Sequence, residues 1–326
     1  MVPGFNAAAT LSFIDPFRAA NYLSGVAHYT WQLFALTADH EKASNGVQLA
    51  VRPLSEVGAF EPGIGVVSSS WTPERFYDSE IVMASIRSWG RRGIRICGID
   101  TGAFLLARAG LLTGGKVATH YEHIDSFQEV YPEITCTEEL ICAHNAILTC
   151  AGGTASTDLA LHILERDHGA ELANACARYV LHDRIRLPGE RQNVTNRVPF
   201  GQTTPDALRE AIRLMEANLE VPLAIPDIAD AIGLSQRQLA RLFRSHTKCS
   251  PVQYYRNIRL DRGRSLITQT EMSILSVAVA CGFESAEYFA RAYRDRFRTT
   301  PRSDRIEGRI PFEYRAWPMH PVPSKK

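Results

Sequence analysis

The sequence contains no apolar run of the roughly 18 residues that a membrane-spanning helix needs. Its seven cysteines lie at positions 97, 136, 142, 150, 176, 249 and 281, and no two of them form a Cys-x-x-Cys pair. This spacing predicts buried, reduced thiols and neither a metal site nor a cofactor. Residues 1–10 lack the basic flank and apolar stretch of a secretory signal. We therefore expect a cytoplasmic protein without membrane contacts.

The chain has almost no net charge, +1 in 326 residues, but its charge is unevenly distributed. Residues 1–231 contain 18 Lys and Arg against 27 Asp and Glu, a net charge of −9. Residues 232–326 contain 18 against 8, a net charge of +10. This separation predicts an acidic part and a basic part that binds a polyanion.

The length is sufficient for two domains. In the first part, short apolar runs alternate with helical periodicity, which predicts an α/β domain around a mainly parallel sheet. The predicted strands cover residues 29–37, 65–69, 94–99 and 146–149, and the predicted helices cover residues 16–23, 73–89, 101–109, 123–130, 154–167 and 170–182.

Domain boundaries follow from where this periodicity stops. Residues 188–205 are polar, rich in turn-forming residues and aperiodic, as is typical of a linker, so the first domain is assigned to residues 1–187. Helical periodicity resumes over residues 206–218 and 252–268, and the second, all-helical domain is assigned to residues 206–308. The proline-rich residues 309–326 are assigned to a tail.

One helical pattern occurs twice in the second domain. Gly233 of the first copy recurs as Gly282 of the second, and the copies end at Pro251 and Pro301. A glycine between two helices provides the tight turn of a helix-turn-helix unit. Two such units can occupy successive major grooves about 34 Å apart. The sequence therefore predicts a transcription factor that binds double-stranded promoter DNA.

The second helix of each unit carries polar and basic residues on the face opposite its apolar positions. Gln and Arg hydrogen-bond to adenine and guanine edges, and Glu accepts from cytosine. The predicted DNA-contacting residues are Ser235, Gln236, Arg237, Arg241 and Arg244 in the first unit, and Ser285, Glu287, Tyr288, Arg291 and Arg294 in the second.

Further arginines are expected to neutralise DNA phosphates. The alternative is that some of them solvate helix faces or pair with Asp261 and Asp295. The set comprises Arg256, Arg259, Arg262, Arg264, Arg296 and Arg298.

Residues 206 to 305 resemble the C-terminal domain of AraC/XylS-type transcriptional regulators. The resemblance is carried by Ala-x-x-x-Gly-Leu-Ser from Ala229, by Cys-Gly-Phe from Cys281 and by Tyr-Phe-Ala-Arg-Ala-Tyr-Arg from Tyr288. It implies direct or inverted promoter half-sites and a homodimer. Arg298 departs from the family, which usually has a glycine before the final turn to Pro301.

The first domain contains the motif Gly98-x-Asp100-x-Gly102 between a predicted strand and a predicted helix. Gly-x-nucleophile-x-Gly at such a turn is the form of a nucleophile elbow, in which small residues allow the chain to bend sharply. The residue at the tip is Asp100 instead of Ser or Cys.

The sequence around this elbow resembles the class I glutamine amidotransferase-like domain of GlxA-type AraC regulators, which implies a flavodoxin-like fold. Further matching segments are Pro3-Gly-Phe, Asp15-Pro-Phe-Arg-Ala-Ala-Asn, Ala43-Ser-Asn-Gly and Ala151-Gly-Gly-Thr-Ala. The family usually has a full apolar strand before Pro3, whereas Met1 and Val2 alone precede it here. We expect either a late assigned start or a short first strand.

In the amidotransferases the elbow residue is a nucleophilic cysteine aided by a histidine, and the resemblance places Asp100 and His120 at these positions. A carboxylate cannot replace a thiolate in thioester chemistry, so we expect no glutaminase activity and no enzyme. The alternative is a hydrolase-like enzyme that uses Asp100 as its nucleophile.

We expect the first domain to bind a small-molecule effector instead. A carboxylate beside aromatic faces suits a cationic ligand. The predicted ligand-binding residues are Asp100, Thr101, His120, Tyr121, Glu122 and Trp71, with Phe104 as a further aromatic face.

Two structural alternatives remain open: Asp100 caps its helix, and His120 is a buried, hydrogen-bonded histidine. The Asp-Thr-Gly variant of the elbow is similar to regulators of glycine betaine, carnitine and arginine catabolism. The resemblance therefore implies a cationic or zwitterionic amine as the effector of a dimeric regulator.

Overall fold

The computed structural model describes residues 1–36, 39–69, 71–192 and 205–307. The described residues form two compact units, one ending at Gln192 and the other comprising residues 205–307. We call them the α/β unit and the helical unit. Residues 193–204 of the predicted linker and the predicted tail 309–326 lie outside the described residues.

The α/β unit contains nine described strands. They are β1 (Phe34–Ala35), β2 (Asp39–Lys42), β3 (Gln48–Pro53), β4 (Ile64–Ser68), β5 (Arg95–Ile99), β6 (Lys116–Ala118), β7 (Thr135–Thr137), β8 (Ile141–His144) and β9 (Ile147–Cys150). The central sheet has the order β4-β5-β9-β8, in which β4, β5 and β9 are parallel and β8 is an antiparallel edge. The predicted, mainly parallel sheet is confirmed.

Helices cover both faces of this sheet. They are α1 (Ala7–Ser24), α2 (Glu80–Arg91), α3 (Gly102–Arg108), α4 (Ile124–Val130), α5 (Ala155–His168) and α6 (Ala170–Tyr179). Phe13, Phe17 and Leu159 belong to the apolar core that α1, α5 and α6 form on one face. Ile86, Leu105 and Phe127 belong to the core on the other face. This three-layer arrangement is why the sheet strands are apolar on both sides.

Three predicted elements of this unit differ in the structure. The predicted helix 16–23 is the last part of α1, which begins at Ala7 after its N-cap Asn6. Of the predicted strand 29–37, Phe34 and Ala35 alone are in a described strand, because only this pair finds a partner strand, in β3. The predicted helix 73–89 is divided into a 3₁₀ turn, Pro73–Phe76, and α2, which begins after Ser79. Apolar content does not reveal whether a neighbouring strand is present, and residues such as Asp78 and Ser79 favour a break over continued helix.

The start of the predicted linker also packs on the α/β unit. The main-chain N–H of Leu140 donates to the Glu190 carbonyl at 2.7 Å, and that of Gln192 donates to the Glu138 carbonyl at 2.6 Å. The α/β unit therefore extends beyond the predicted boundary at residue 187.

The helical unit contains α7 (Asp206–Ala217), α8 (Ile225–Ala231), α9 (Gln236–Thr247), α10 (Pro251–Gln269), α11 (Ile274–Ala280), α12 (Ala286–Phe297) and α13 (Pro301–Glu307). The helical unit contains two apolar cores. Leu239 and Phe243 of α9 belong to the first, and Phe289 and Tyr293 of α12 belong to the second. The long helix α10 contributes to both cores and joins the two helix-turn-helix units.

The turn between α11 and α12 needs a glycine. Gly282 has a φ of +68°, and a Cβ there would lie 2.7 Å from the carbonyl oxygen of Leu219. Both the left-handed backbone and the close approach exclude larger residues. None of the helices among the described residues is both long and apolar enough to span a membrane.

Candidate functional site

The second helix of the first unit, α9, presents its predicted DNA-contacting residues to solvent. Ser235 precedes it as the N-cap and forms a capping box with Gln238, so that the Gln238 side chain is committed to the cap. Gln236 and Arg237 follow at the start of the helix, where their side chains are exposed. Arg241 and Arg244 are exposed further along α9.

The second unit repeats this arrangement on α12. Ser285 caps the helix by accepting from the main-chain N–H of Tyr288 at 3.1 Å. Glu287, Arg291 and Arg294 are exposed, and the Arg291 guanidinium lies 5.6 Å from the centre of the Tyr288 ring. Within the described part of the chain, no carboxylate forms an ion pair with the exposed arginines of the two helices: Arg237, Arg241, Arg244, Arg291 and Arg294.

Three arginines predicted to neutralise phosphates have partners within the protein. Arg264 binds the buried Asp304 at 2.8 Å, and Arg296 binds Asp261 at 2.7 Å. Arg259 donates to the Cys281 carbonyl at 2.7 Å. The pairing with Asp261 considered as an alternative is thus observed for Arg296. Arg264 and Arg259 have partners that the sequence did not suggest, because these partners come close only in the fold.

The α/β unit forms the predicted elbow between β5 and α3. Asp100 has a φ of +61°, a left-handed conformation that is costly for a residue with a side chain. Its main-chain N–H donates to the Cys150 carbonyl at 3.1 Å, which joins the elbow to the end of β9. A Cβ at Gly152 would lie 2.9 Å from the Asp100 carboxyl carbon, so the glycine leaves room for this carboxyl group.

Asp100 is buried, with 9% of the residue exposed. Its Oδ2 accepts from Nδ2 of Asn6 at 2.7 Å, and the Oδ1 of the same asparagine caps α1 by accepting from Ala9. Burial raises the pKa of Asp100, while His120 and the hydrogen bonds from Asn6 and the Thr101 N–H oppose this shift. The N-cap of α3 is Thr101 and no side chain caps this helix, so the capping role considered for Asp100 is not observed, and its buried carboxyl group is costly to ionise.

Aromatic rings surround His120, the residue whose charge interacts with Asp100. The ring centres of Tyr121 and Trp71 lie 4.4 and 6.5 Å from that of His120. His120 is half-buried and its Nδ1 accepts from the Glu122 N–H at 3.4 Å, so it is not the fully buried histidine of the alternative interpretation. The Glu122 carboxylate accepts from the Tyr121 hydroxyl at 3.5 Å.

Two of the side chains predicted near the ligand, Thr101 and Phe104, are buried. The main-chain N–H of Thr101 contacts the Asp100 carboxylate. Phe104 points into the core, where its ring centre lies 4.8 Å from that of Phe127. His123 was not among the predicted residues, and its ring centre lies 4.6 Å from that of Trp71.

A cavity of about 620 Å³ lies elsewhere in the α/β unit, between β4 and the segment that leads into β1. Phe13, Tyr29 and Trp31 line it, whereas Asp100, His120 and Trp71 do not. Met1 and Val2 bridge the two sides: the amino group donates to the Phe34 carbonyl at 2.7 Å and the Val2 N–H to the Ser68 carbonyl at 3.3 Å. The cavity is therefore a gap between strand edges, distinct from the elbow.

Sequence reasoning missed three residues that contact the elbow or its neighbours: Asn6, Thr119 and Gln192. The Thr119 hydroxyl donates to the Asp100 carbonyl at 2.8 Å, and the Gln192 side chain donates to the Thr119 carbonyl at 2.7 Å. Asn6 follows the Pro3-Gly-Phe segment and begins α1, which is the one local signal that pointed to it.

Known proteins resemble both units. Residues 228–306 match a family described as helix-turn-helix domain, and residues 30–166 match the DJ-1/PfpI family. The HTH-type transcriptional regulator CdhR of Pseudomonas aeruginosa is 37% identical over 309 residues, which cover 94% of this chain and 90% of that protein. The regulator GlxA of Rhizobium meliloti is 32% identical over 303 residues, which cover 93% of each protein.

A solved structure of an AraC family transcriptional regulator from Pseudomonas putida has the same fold over 55% of this chain and 96% of that one, with a TM-score of 0.51 at 22% identity. The predicted amidotransferase-like and helix-turn-helix domains are thus confirmed, as is the resemblance to GlxA. The chain belongs to the family of HTH-type transcriptional regulators in which a DJ-1/PfpI domain precedes an AraC-type helix-turn-helix domain.

Proposed function

We propose that the α/β unit of this regulator senses a small cationic or zwitterionic amine and thereby adjusts promoter binding by the helical unit. The observation that carries this proposal is the buried Asp100 carboxyl group close to His120, whose ring neighbours Trp71 and Tyr121. Aromatic faces and a carboxylate recognise quaternary ammonium groups together. Glycine betaine, carnitine and arginine are the amines that the elbow variant favours.

Sensing fits this elbow better than catalysis. A nucleophilic carboxylate has to direct a free oxygen at its substrate, whereas the Oδ2 of Asp100 accepts a hydrogen bond from Asn6. We therefore propose that the unit is not an enzyme. Hydrolysis of ester or amide substrates that depended on Asp100 would support the hydrolase alternative.

Calorimetric titration of the whole protein tests the ligand class. We expect heat with at least one of glycine betaine, L-carnitine and L-arginine. The Asp100→Asn variant should lose this heat because it removes the charge but keeps an acceptor for Asn6. The matched ligand control for betaine is 3,3-dimethylbutanoate, which has the same shape without the cationic nitrogen and should not bind. Absence of heat with all three amines would refute the proposal.

We propose further that α9 and α12 read DNA bases through the exposed residues at their starts. Gln236 and Arg237 begin one helix, whereas Ser285 and Glu287 begin the other, so the two half-sites should differ. Ser235, Tyr288, Arg241, Arg244, Arg291 and Arg294 are the other proposed contacts to bases or phosphates.

Operator binding by arginine variants distinguishes residues that contact bases from residues that contact phosphates. Arg237→Ala should weaken operator binding by about 1–3 kcal/mol and relax specificity at one base pair. Arg302→Ala is the control, because Arg302 is exposed on α13, outside both reading helices. Equal binding by wild type and Arg237→Ala to every single-base operator variant would show that Arg237 does not read a base.

The working assembly is proposed to be a homodimer, in which residues 1–192 form the effector-sensing domain and residues 206–308 the DNA-binding domain. Light scattering coupled to size-exclusion chromatography, with and without operator DNA, measures the assembly. A mass of one chain per DNA molecule at saturation would contradict the dimer.

A further inference from the structure

We propose that Thr119 and Gln192 transmit effector binding at the elbow to the point where the chain leaves the α/β unit. This inference rests on the proposed function, because it requires an effector at Asp100. It assigns a coupling role to two residues that contact neither DNA nor, on the proposed function, the effector.

Thr119 lies between the elbow and Gln192 and binds both. It is fully buried, directly after β6, and its Oγ1 donates to the Asp100 carbonyl at 2.8 Å. Its own carbonyl accepts from the Gln192 side chain at 2.7 Å. The next residue in the chain is His120, which interacts electrostatically with the Asp100 carboxylate. A ligand that moves either Asp100 or His120 therefore acts on Thr119 directly.

Gln192 is held in place by side-chain and main-chain contacts. Its Nε2 also donates to the Glu139 carbonyl at 3.3 Å, and its main-chain N–H donates to the Glu138 carbonyl. The residue is buried, although it lies at the end of the α/β unit, and α7 of the helical unit begins at Asp206. The buried Gln192 amide holds the end of the α/β unit in one position, because breaking a buried hydrogen bond is costly.

The Thr119 carbonyl connects the elbow to Gln192, because it can accept a well-formed hydrogen bond from Gln192 in only one arrangement of the elbow. A displacement of Thr119 by effector binding changes the cost of keeping Gln192 docked. The equilibrium between docked and released Gln192 is then the two-state element that both effector and DNA bias. Effector binding is expected to change DNA affinity by about 5- to 150-fold.

The test measures this coupling in the full-length protein. Operator affinity is determined by fluorescence anisotropy without and with a saturating amine, chosen from glycine betaine, L-carnitine and L-arginine as the one that binds wild type. Effector affinity is measured separately by calorimetry. Gln192→Glu removes the donor to Thr119 without changing side-chain size, and Thr119→Val removes the hydroxyl at constant shape.

We expect both variants to bind the amine within about threefold of wild type and to lose the effector-dependent change in DNA affinity. The controls Thr119→Ser, which keeps the hydroxyl, and Arg191→Ala, an exposed neighbour of Gln192, should respond like wild type. The double variant Thr119→Val/Gln192→Glu should lose no more coupling than either single variant, because both act in one path.

Wild-type coupling in Gln192→Glu would overturn the proposal while leaving the proposed function intact. If Thr119→Val does not fold, Gln192→Glu alone decides, because its side chain lies at the end of the unit. If wild type binds none of the three amines, both the proposed function and the coupling path are refuted.

Discussion

Asp100 is the residue at which charge and burial conflict. Burial raises the pKa of Asp100, so below this pKa the Asp100 carboxyl group of the ligand-free protein is mostly protonated. A quaternary amine, by contrast, binds the ionised form. Amine affinity should therefore fall about tenfold per pH unit below the raised pKa of Asp100, and binding there should release a proton. Calorimetry in two buffers with different ionisation enthalpies measures that proton. Equal apparent enthalpies in the two buffers, together with an amine affinity that does not fall as the pH is lowered, would contradict this prediction.

The same residue should limit stability. A carboxyl group whose pKa is raised by folding stabilises the protein below its unfolded pKa, and this contribution is lost as the pH rises through the folded pKa. Asp100→Asn should therefore unfold at a higher temperature than wild type at neutral pH, and the difference should vanish in acid. Thermal unfolding at several pH values measures it. A lower melting temperature of the variant at neutral pH would show that the ionised carboxylate contributes more than it costs.

Among the elements, the two reading helices end in the same unusual way. Lys248 after α9 and Arg298 after α12 both have left-handed backbones, with φ of 62° and 59°. Glycine is favoured at such positions, and Arg298 stands where the family usually has glycine. Arg298→Gly should therefore stabilise the protein by about 1 kcal/mol. Arg302→Gly, inside α13, is the matched control and should destabilise it by a similar amount. Chemical denaturation measures both, and destabilisation by Arg298→Gly would refute the argument.

Some helix and strand boundaries agree with the sequence prediction. The predicted helix 252–268 is α10 from Pro251 to Gln269, since Ser250 caps its start and proline occupies its first turn. The predicted strand 94–99 is β5, from Arg95 to Ile99. By contrast, β2, β3, β6, β7 and β8 were missed. These strands have three to six residues, which is too short for a clear apolar alternation, and polar ones such as Asp39–Lys42 lack it altogether.

For the whole molecule, the division of charge along the chain predicts the salt dependence of DNA binding. The operator affinity should fall steeply with salt, because each neutralised phosphate contributes about −0.9 to the slope of log affinity against log salt. Arg241→Ala should reduce this slope by about 1. Arg75→Ala, at an exposed position of the α/β unit, should leave it unchanged. Equal slopes for wild type and Arg241→Ala would place Arg241 outside the phosphate contacts.

Both domains, the repeated helix-turn-helix and the elbow at Asp100 were predicted from the amino-acid sequence. These features depend on periodicity, caps and glycine turns within a few residues, and such local preferences can be identified in the sequence without knowledge of the fold. The hydrogen-bond and ion-pair partners of the polar side chains, by contrast, depend on the tertiary structure. Asn6 reaches Asp100 across 94 residues, and Gln192 reaches Thr119 across 73. Arg264 and Arg296 likewise pair with Asp304 and Asp261, 40 and 35 residues away along the chain. A hydrogen-bond partner is selected by the three-dimensional packing of distant segments, and no local pattern records that choice.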